Sequence, residues 1–215
     1  MIVFLQILLK EKHGENVEKI DKEKELVYTI YSNNEKKENS YDLDINIPYI
    51  NIDNESTKKY NEEMNTFINK AKNSLKEEGK NIIYTVQFAS VIEDNILSVI
   101  VRSNLKQASS AQRIIIQTYN YDLKYGKEIT LEEIIDMKRL NKDSIQNKIK
   151  EEIQIEQKKV EDLKSLGYNI FERDIDNDMY EIKNTKQFFI KNGKLYIMYP
   201  YGNDAITSEM DFVII

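Results

Sequence analysis

Three aspartates, Asp174, Asp176 and Asp178, alternate along the chain in the way that opens a calcium-binding loop. Such a loop needs glycine at its sixth position for a sharp turn and glutamate at its twelfth to bind the ion with both oxygens. This chain has Met179 and Thr185 at those positions. The spacing therefore favours a solvated acidic turn, and we predict no metal site.

Nucleophilic and zinc chemistry lack their usual residues. The chain has no cysteine and a single histidine, His13, which lies in a polar segment near its start. A Ser–His–Asp triad and most catalytic zinc sites need a histidine in a cleft. We therefore predict no enzyme, no catalytic residue and no cofactor. A cell-wall-active enzyme that uses paired carboxylates remains a weaker alternative, because no spacing singles out a pair among the 37 acidic residues.

A partner-binding surface is the kind of site that the sequence favours. Tyr199 and Tyr201 flank Pro200 just beyond a predicted hairpin strand, and Asn203 and Asp204 follow them. A rigid aromatic pair on a loop suits contact with a partner, although the same residues also fit a structural turn.

Ser109 and Ser110 are the second pair of candidate contact residues. They lie within residues 103–111, a long polar stretch between two predicted strands. Loops of this kind often carry binding, because the strands on either side hold them in place. We expect partner contacts at this loop and at the loop that follows Tyr199.

Composition limits the class of partner. The chain has 215 residues, a net charge of −6 and an isoelectric point near 5.1. Nucleic acids and anionic lipids require a basic surface, so we predict no nucleic-acid partner. With 40% hydrophobic and 32% charged residues, the composition is that of a globular protein.

The first residues have a different character. Met1–Leu9 is apolar but shorter than the roughly 20 residues that span a bilayer, and it lacks the basic flank of a signal peptide. It is either the remnant of a membrane anchor that precedes the domain or a short buried segment. Residues 10–24 are polar and uneven in period, so we interpret 1–24 as an anchor remnant or linker.

Hydrophobic periodicity predicts the elements of the first half. Strands are predicted at Leu26–Tyr31 and Tyr41–Tyr49, followed by a helix over Glu55–Glu78 with one apolar stripe. Three further strands are predicted, at 82–89, 96–102 and 113–121.

The second half begins with a capping box, Thr130 to Glu133, that predicts a short helix. A longer helix is predicted over Ser144–Ser165, with Asp143 as its cap. The pair Asn192–Gly193 predicts a hairpin between strands at 188–190 and 195–199, and a last strand is predicted at 210–215. The predicted fold class is α+β, with antiparallel sheet packed against two long helices in two small sub-domains.

The run from Asn120 to Glu133 reads NYDLKYGKEITLEE. With the order strand, helix, three strands, long helix and closing hairpin, it resembles the paired DUF4163 and DUF3298 domains of bacterial envelope proteins, mainly of Gram-positive bacteria. The resemblance covers Leu26 to the C-terminus. It implies a DUF4163-like α+β domain over 25–105 and a DUF3298-like α+β domain over 106–215.

This resemblance implies a binding role outside the cytoplasm, in a secreted protein or one anchored at the cell surface. Relatives include the ectodomain of a lysozyme-binding anti-sigma factor, the region before the catalytic domain of some peptidoglycan deacetylases, and many proteins without an assigned role. The expected partner is a lysozyme-like protein or peptidoglycan, and a structural or assembly domain is the alternative. The chain departs from many relatives in two loops, Lys106–Ala111 and Pro200–Asp204, where we expect contacts.

Overall fold

A computed structural model describes residues 17–74, 81–203 and 205–215. His13, the apolar segment Met1–Leu9 and Asp204 lie outside these described residues. The fold class is α+β, with one six-stranded sheet and one three-stranded sheet. Where the fold-class prediction named two long helices, the described residues contain three α-helices. None of the helices in the described ranges is long and apolar enough to cross a membrane.

The six-stranded sheet, here the main sheet, contains the first six strands in chain order. Their bounds are β1 Val27–Lys37, β2 Tyr41–Ile50, β3 Ile82–Glu93, β4 Ile96–Gln107, β5 Arg113–Asp122 and β6 Lys127–Glu128. The sheet is mixed, since β2 and β3 pair in parallel, so the prediction of purely antiparallel sheet is wrong. The helix between β2 and β3 returns the chain to the end where β2 began, and a crossover of this kind produces a parallel pair.

Several strands are longer than their predicted bounds, β1 and β4 most of all. β1 continues to Lys37 beyond the predicted end at Tyr31, and β4 continues to Gln107 beyond Arg102. Pairing with a neighbouring strand extends them through polar residues, because one face of the sheet is solvated there. Most of the predicted loop at 103–111 is therefore strand, and a tight turn begins at Ala108, where φ is +46°.

Helix α1, Glu55–Ser74, covers one face of the main sheet. Residues 75–78 of the predicted helix lie outside the described residues. The helix contributes Tyr60, Met64 and Ile68 to a core with alternate residues of the central strands. The strand residues of this core include Ile45, Ile47, Val86, Leu97, Val99, Val101, Tyr119 and Tyr121.

The other helices lie in the second half. Helix α2, Leu131–Met137, starts with the predicted capping box between Thr130 and Glu133. Helix α3, Lys142–Ser165, is capped by Asn141, not by Asp143 as predicted. The reason is conformational: Asn141 has an extended backbone, so its side chain can accept a hydrogen bond from the Ser144 amide at 2.8 Å.

The three-stranded sheet, here the small sheet, contains β7 Phe188–Lys191, β8 Lys194–Tyr201 and β9 Glu209–Ile214. Its hairpin turn is confirmed, since Asn192 and Gly193 both have positive φ, 53° and 72°. One face packs on α2 and α3 in a second core, and part of the other packs on β4 and β5. The proposed domain boundary near residue 105 falls within β4, and the division into two domains stays a prediction.

Candidate functional site

A cleft lies between the start of β5 and the end of β8, where the two sheets meet. Its volume is about 170 Å³. It is lined by Arg113, Ile114, Ile115, Ile116, Pro200, Tyr201, Gly202 and Ser208. The Ser208 side chain is 7% exposed, and within the described residues its hydroxyl has no hydrogen-bond partner. A buried, unpartnered hydroxyl is uncommon and indicates a place where a ligand or water can bind.

The cleft brings the two predicted loops to the same end of the molecule. The Ser208 amide donates a hydrogen bond of 2.9 Å to the Gln112 carbonyl, which ties the chain after β8 to the chain before β5. Ser109 and Ser110 are exposed in the turn just before Gln112. Asn203 is exposed on the other segment, where its Oδ1 accepts from the Ala205 and Ile206 amides.

The prediction of an exposed aromatic pair at Tyr199 and Tyr201 is wrong. Both belong to β8, and their side chains are 2% and 9% exposed. Side chains alternate along a strand, so both rings enter the core with α3 while Pro200 between them points to the opposite face and lines the cleft. Whether this segment binds a partner stays a prediction.

Tyr201 belongs to a buried polar network around Arg173. The guanidinium donates to both carboxylate oxygens of Asp211, each at 3.0 Å, and its Nη1 lies 2.7 Å from Glu209 Oε2. The Tyr201 hydroxyl donates to Asp211 at 2.8 Å. The Tyr180 and Tyr201 hydroxyls are hydrogen-bonded to each other at 2.7 Å. Arg173 Cζ also lies over the Tyr201 ring, 4.5 Å from the ring centroid.

Burial and bonding fix the protonation states in this network. Burial raises the pKa of Tyr199 to about 12. Burial and then the bonds to Tyr180 and Asp211 raise the pKa of Tyr201 well above its usual range. Burial lowers the pKa of Arg173, but its bonds to Asp211 and Glu209 outweigh this and raise it. These hydroxyls stay neutral and Arg173 stays charged, so the network holds β9 against the core.

Sequence reasoning missed Arg173 and Asp211. One signal was available, because Asp211 alternates with Val213, which is fully buried, so a charged residue occupies an inward position of β9. An inward aspartate needs a buried cation, and Arg173 supplies it from a segment without regular structure. No periodicity in that segment could have identified it.

A second cavity, of about 240 Å³, lies at the turn within the NYDLKYGKEITLEE run. In this turn Gly126 has φ +67°, and the Asp122 carboxylate accepts from the Lys124 and Tyr125 amides. Asn54, before α1, donates to the Gly126 carbonyl at 2.8 Å. This hydrogen bond joins the turn to the start of α1, so the run helps to connect the helix to the sheet.

The acidic stretch at 174–178 forms a local turn. The Asp174 carboxylate accepts from the Asp176 amide, and Asn177 caps a short 3₁₀ helix, Asp178–Tyr180. Across the described ranges, no group of three or more histidine or acidic side chains is placed to hold a metal ion.

Comparisons with known proteins give a likeness of fold. No family model matches the chain, and no curated protein matches it. Two solved structures of DUF3298 family proteins are similar to it. One, from Bacteroides fragilis, is 12% identical, with a TM-score of 0.42 over 80% of each chain. The other, from Pseudomonas aeruginosa PAO1, is also 12% identical, with a TM-score of 0.47 over 86% of this chain and 85% of that one. The resemblance to DUF4163 stays a prediction.

Proposed function

We propose that this chain is a non-catalytic binding module of the bacterial cell envelope that acts outside the cytoplasm. Its partner is a lysozyme-like protein or peptidoglycan. Contact occurs at the end of the molecule that carries the cleft and the exposed residues Ser109, Ser110 and Asn203, here called the cleft end. The observation that carries the proposal is the Ser208–Gln112 hydrogen bond, which gathers both predicted contact loops around a cleft that contains an unpartnered buried hydroxyl.

The chemistry of the cleft end favours binding over turnover. Its lining includes Ile114, Ile116 and Pro200, with Arg113, Tyr201 and Ser208 as the polar members. Aliphatic walls with few polar groups suit recognition of a partner surface. Among the described residues that line the cleft, none is acidic.

Direct binding tests the proposal. The full chain is immobilised and exposed to hen lysozyme and to solubilised peptidoglycan at low and at high salt. Lysozyme is basic and this chain carries −6, so we expect lysozyme binding that weakens as salt rises. If neither ligand binds, the proposal is contradicted and the structural or assembly role is favoured.

A matched pair of variants locates the contact. Ser109→Arg places a long cation in the exposed turn at the cleft end, and we expect it to weaken binding at least tenfold. Ser165→Arg makes the same change at the exposed end of α3 and controls for net charge. Equal weakening by both variants would mean that charge alone acts and that the cleft end is not the contact.

A further inference from the structure

The edge of β5 is left open beside the cleft. In an antiparallel pair, alternate residues direct both backbone groups to the same neighbour. The Thr118 amide, the Asn120 carbonyl and the Gln112 carbonyl all bond to groups outside the β4–β5 pair. The backbone amides and carbonyls of the even-numbered residues of β5 therefore point away from β4. Ile114 and Ile116 belong to this set.

Both ends of this edge are closed and its middle is not. At one end Gln187 Oε1 accepts from the Thr118 amide at 2.6 Å, and at the other the Ser208 amide donates to Gln112. Within the described part of the chain, no hydrogen bond reaches the outward amides and carbonyls of Ile114 and Ile116. Two donors and two acceptors thus alternate along this edge where it borders the cleft, and Ile114 is half-buried there while Ile116 is 5% exposed.

An uncovered apolar surface lies next to this edge. On β9, Met210 packs with Ile116 and Met198 between the two sheets. Phe212 and Ile214 project from the same face of β9 and continue it, yet they are 48% and 43% exposed. Contiguous exposed apolar residues beside an open strand edge mark an interaction site.

Both observations fit one occupant. We infer that an extended segment of a partner polypeptide pairs with β5 at Ile114 and Ile116 and lays apolar side chains toward Phe212. Only an extended backbone offers donors and acceptors at the two-residue spacing of this edge, and a glycan does not repeat that pattern. The inference rests on the proposed binding function and narrows its partner to a protein that presents a strand.

Amide exchange tests whether the edge is open in the free chain. In the full-length protein we expect the Ile114 and Ile116 amides to exchange on the order of 100-fold faster than those of Ile115 and Gln117, which pair with β4. Slow exchange in a monomer would mean that the chain covers its own edge. Slow exchange in a dimer would mean that a second copy covers it. Either result would overturn the inference.

A peptide probe tests the recognition mode. The probe is a peptide of about four residues with alternating threonine and valine, short enough to lie between the two closed ends of the edge. We expect it to slow exchange at Ile114 and Ile116, and the same peptide with alternate backbone nitrogens methylated to have no effect, because methylation removes the donors. Binding of both peptides alike, or of neither, would overturn the inference.

Variants separate the edge from the fold. Ile114→Pro removes one outward donor and Ile114→Val keeps it, so we expect about tenfold weaker peptide binding for the proline variant alone. Because proline could disturb the strand, Phe212→Lys provides a second test at a side chain that is 48% exposed. Ile83→Lys, at a side chain that is 49% exposed on β3, is its matched control. We expect about tenfold weaker binding only for Phe212→Lys, and equal effects would overturn the inference.

Lysozyme distinguishes this inference from the proposed function. If lysozyme binds without slowing exchange at Ile114 and Ile116, the binding function stands and strand addition is wrong. If neither lysozyme nor peptidoglycan binds but the peptide occupies the edge, strand addition stands and the partner class is wrong.

Discussion

The two edges of the main sheet differ in how they are protected. The β1 edge carries Glu35, Lys36 and Lys37 toward one end and a register shift between Thr29 and Tyr31 toward the other. Charges and bulges at an edge discourage pairing with another chain. The open part of the β5 edge has neither, and its outward residues are Ile114 and Ile116. This difference between the two edges is the feature on which the proposed strand addition at β5 depends.

The largest expected effect is a loss of stability on removal of the buried ion pair that holds β9, the strand beside the β5 edge. Asp211→Ala leaves Arg173 buried without its bidentate partner, which costs about 3–5 kcal/mol of unfolding free energy. β9 then keeps only the Glu209 contacts to the segment around Arg173, so its attachment beside the β5 edge is weakened. Urea denaturation followed by circular dichroism measures the loss.

A double variant checks the cause. Replacing both partners, Arg173→Met with Asp211→Leu, removes the unpaired charge and should restore most of the stability. Asp44→Ala on β2, at a half-buried carboxylate that accepts a hydrogen bond from Gln87, should cost under about 1 kcal/mol. A double variant as unstable as Asp211→Ala would contradict this account.

A neighbouring pair on β5 gives the next effect. Ile116 is 5% exposed and packs on the small sheet, so Ile116→Ala should cost about 2–4 kcal/mol. Ile115 points to the other face and is 44% exposed, so Ile115→Ala should cost under about 1 kcal/mol. Thermal unfolding of both variants measures the difference, and similar losses would mean that the two sheets do not share a core at Ile116.

The β1 edge can be made to resemble the β5 edge. Replacing Glu35 with valine, Lys36 with threonine and Lys37 with valine removes the charges and leaves a β-prone strand. We expect little change in unfolding free energy, within about 0.5 kcal/mol, but concentration-dependent self-association measured by analytical ultracentrifugation. A strictly monomeric variant would show that the charges are not what protects β1.

The comparison also shows what the sequence could predict. The capping box at Thr130, the turn at Asn192–Gly193 and the α+β class follow from local chemistry, and the structure confirms them. The loop containing Ser109 was predicted too long, because pairing with β3 extends β4 through polar residues that have no strand pattern of their own.

The burial of Tyr201 depends on tertiary contacts. Its partners, Tyr180 and Asp211, lie 21 and 10 residues away and meet it only when α3 and the small sheet pack together. The open edge of β5 could not be predicted either, because the sequence of a strand does not determine which of its sides is left without a neighbouring strand. The sequence thus placed the two contact loops on the chain but could not predict the cleft that they share.

The smallest expected effect concerns the closed far end of the β5 edge. There β6 pairs with Tyr121 and Asp122, and the Ile129 amide donates to the Asn120 carbonyl at 2.9 Å. Lys127 of β6 is held by Glu133 of the capping box at 2.5 Å. The bond from Lys127 and then that from the Thr130 amide lower the pKa of Glu133 below its ordinary value of 4.5. Glu133 therefore stabilises this end of the edge while it is ionised.

The sign of the pH dependence follows from that direction. A carboxylate with a lowered folded pKa contributes stability above its unfolded pKa and loses it as the pH falls through the folded value. Below about pH 4.5 we expect a lower protection factor for the Ile129 amide, which compares its exchange with that of an unfolded amide at the same pH, and we expect Glu133→Gln to show this lower protection already at pH 7. Solvent screens the group, so the change is about 0.5 kcal/mol. If the protection factor at Ile129 stayed constant as the pH fell while that at Ile114 decreased, β6 would close the edge without help from the capping box.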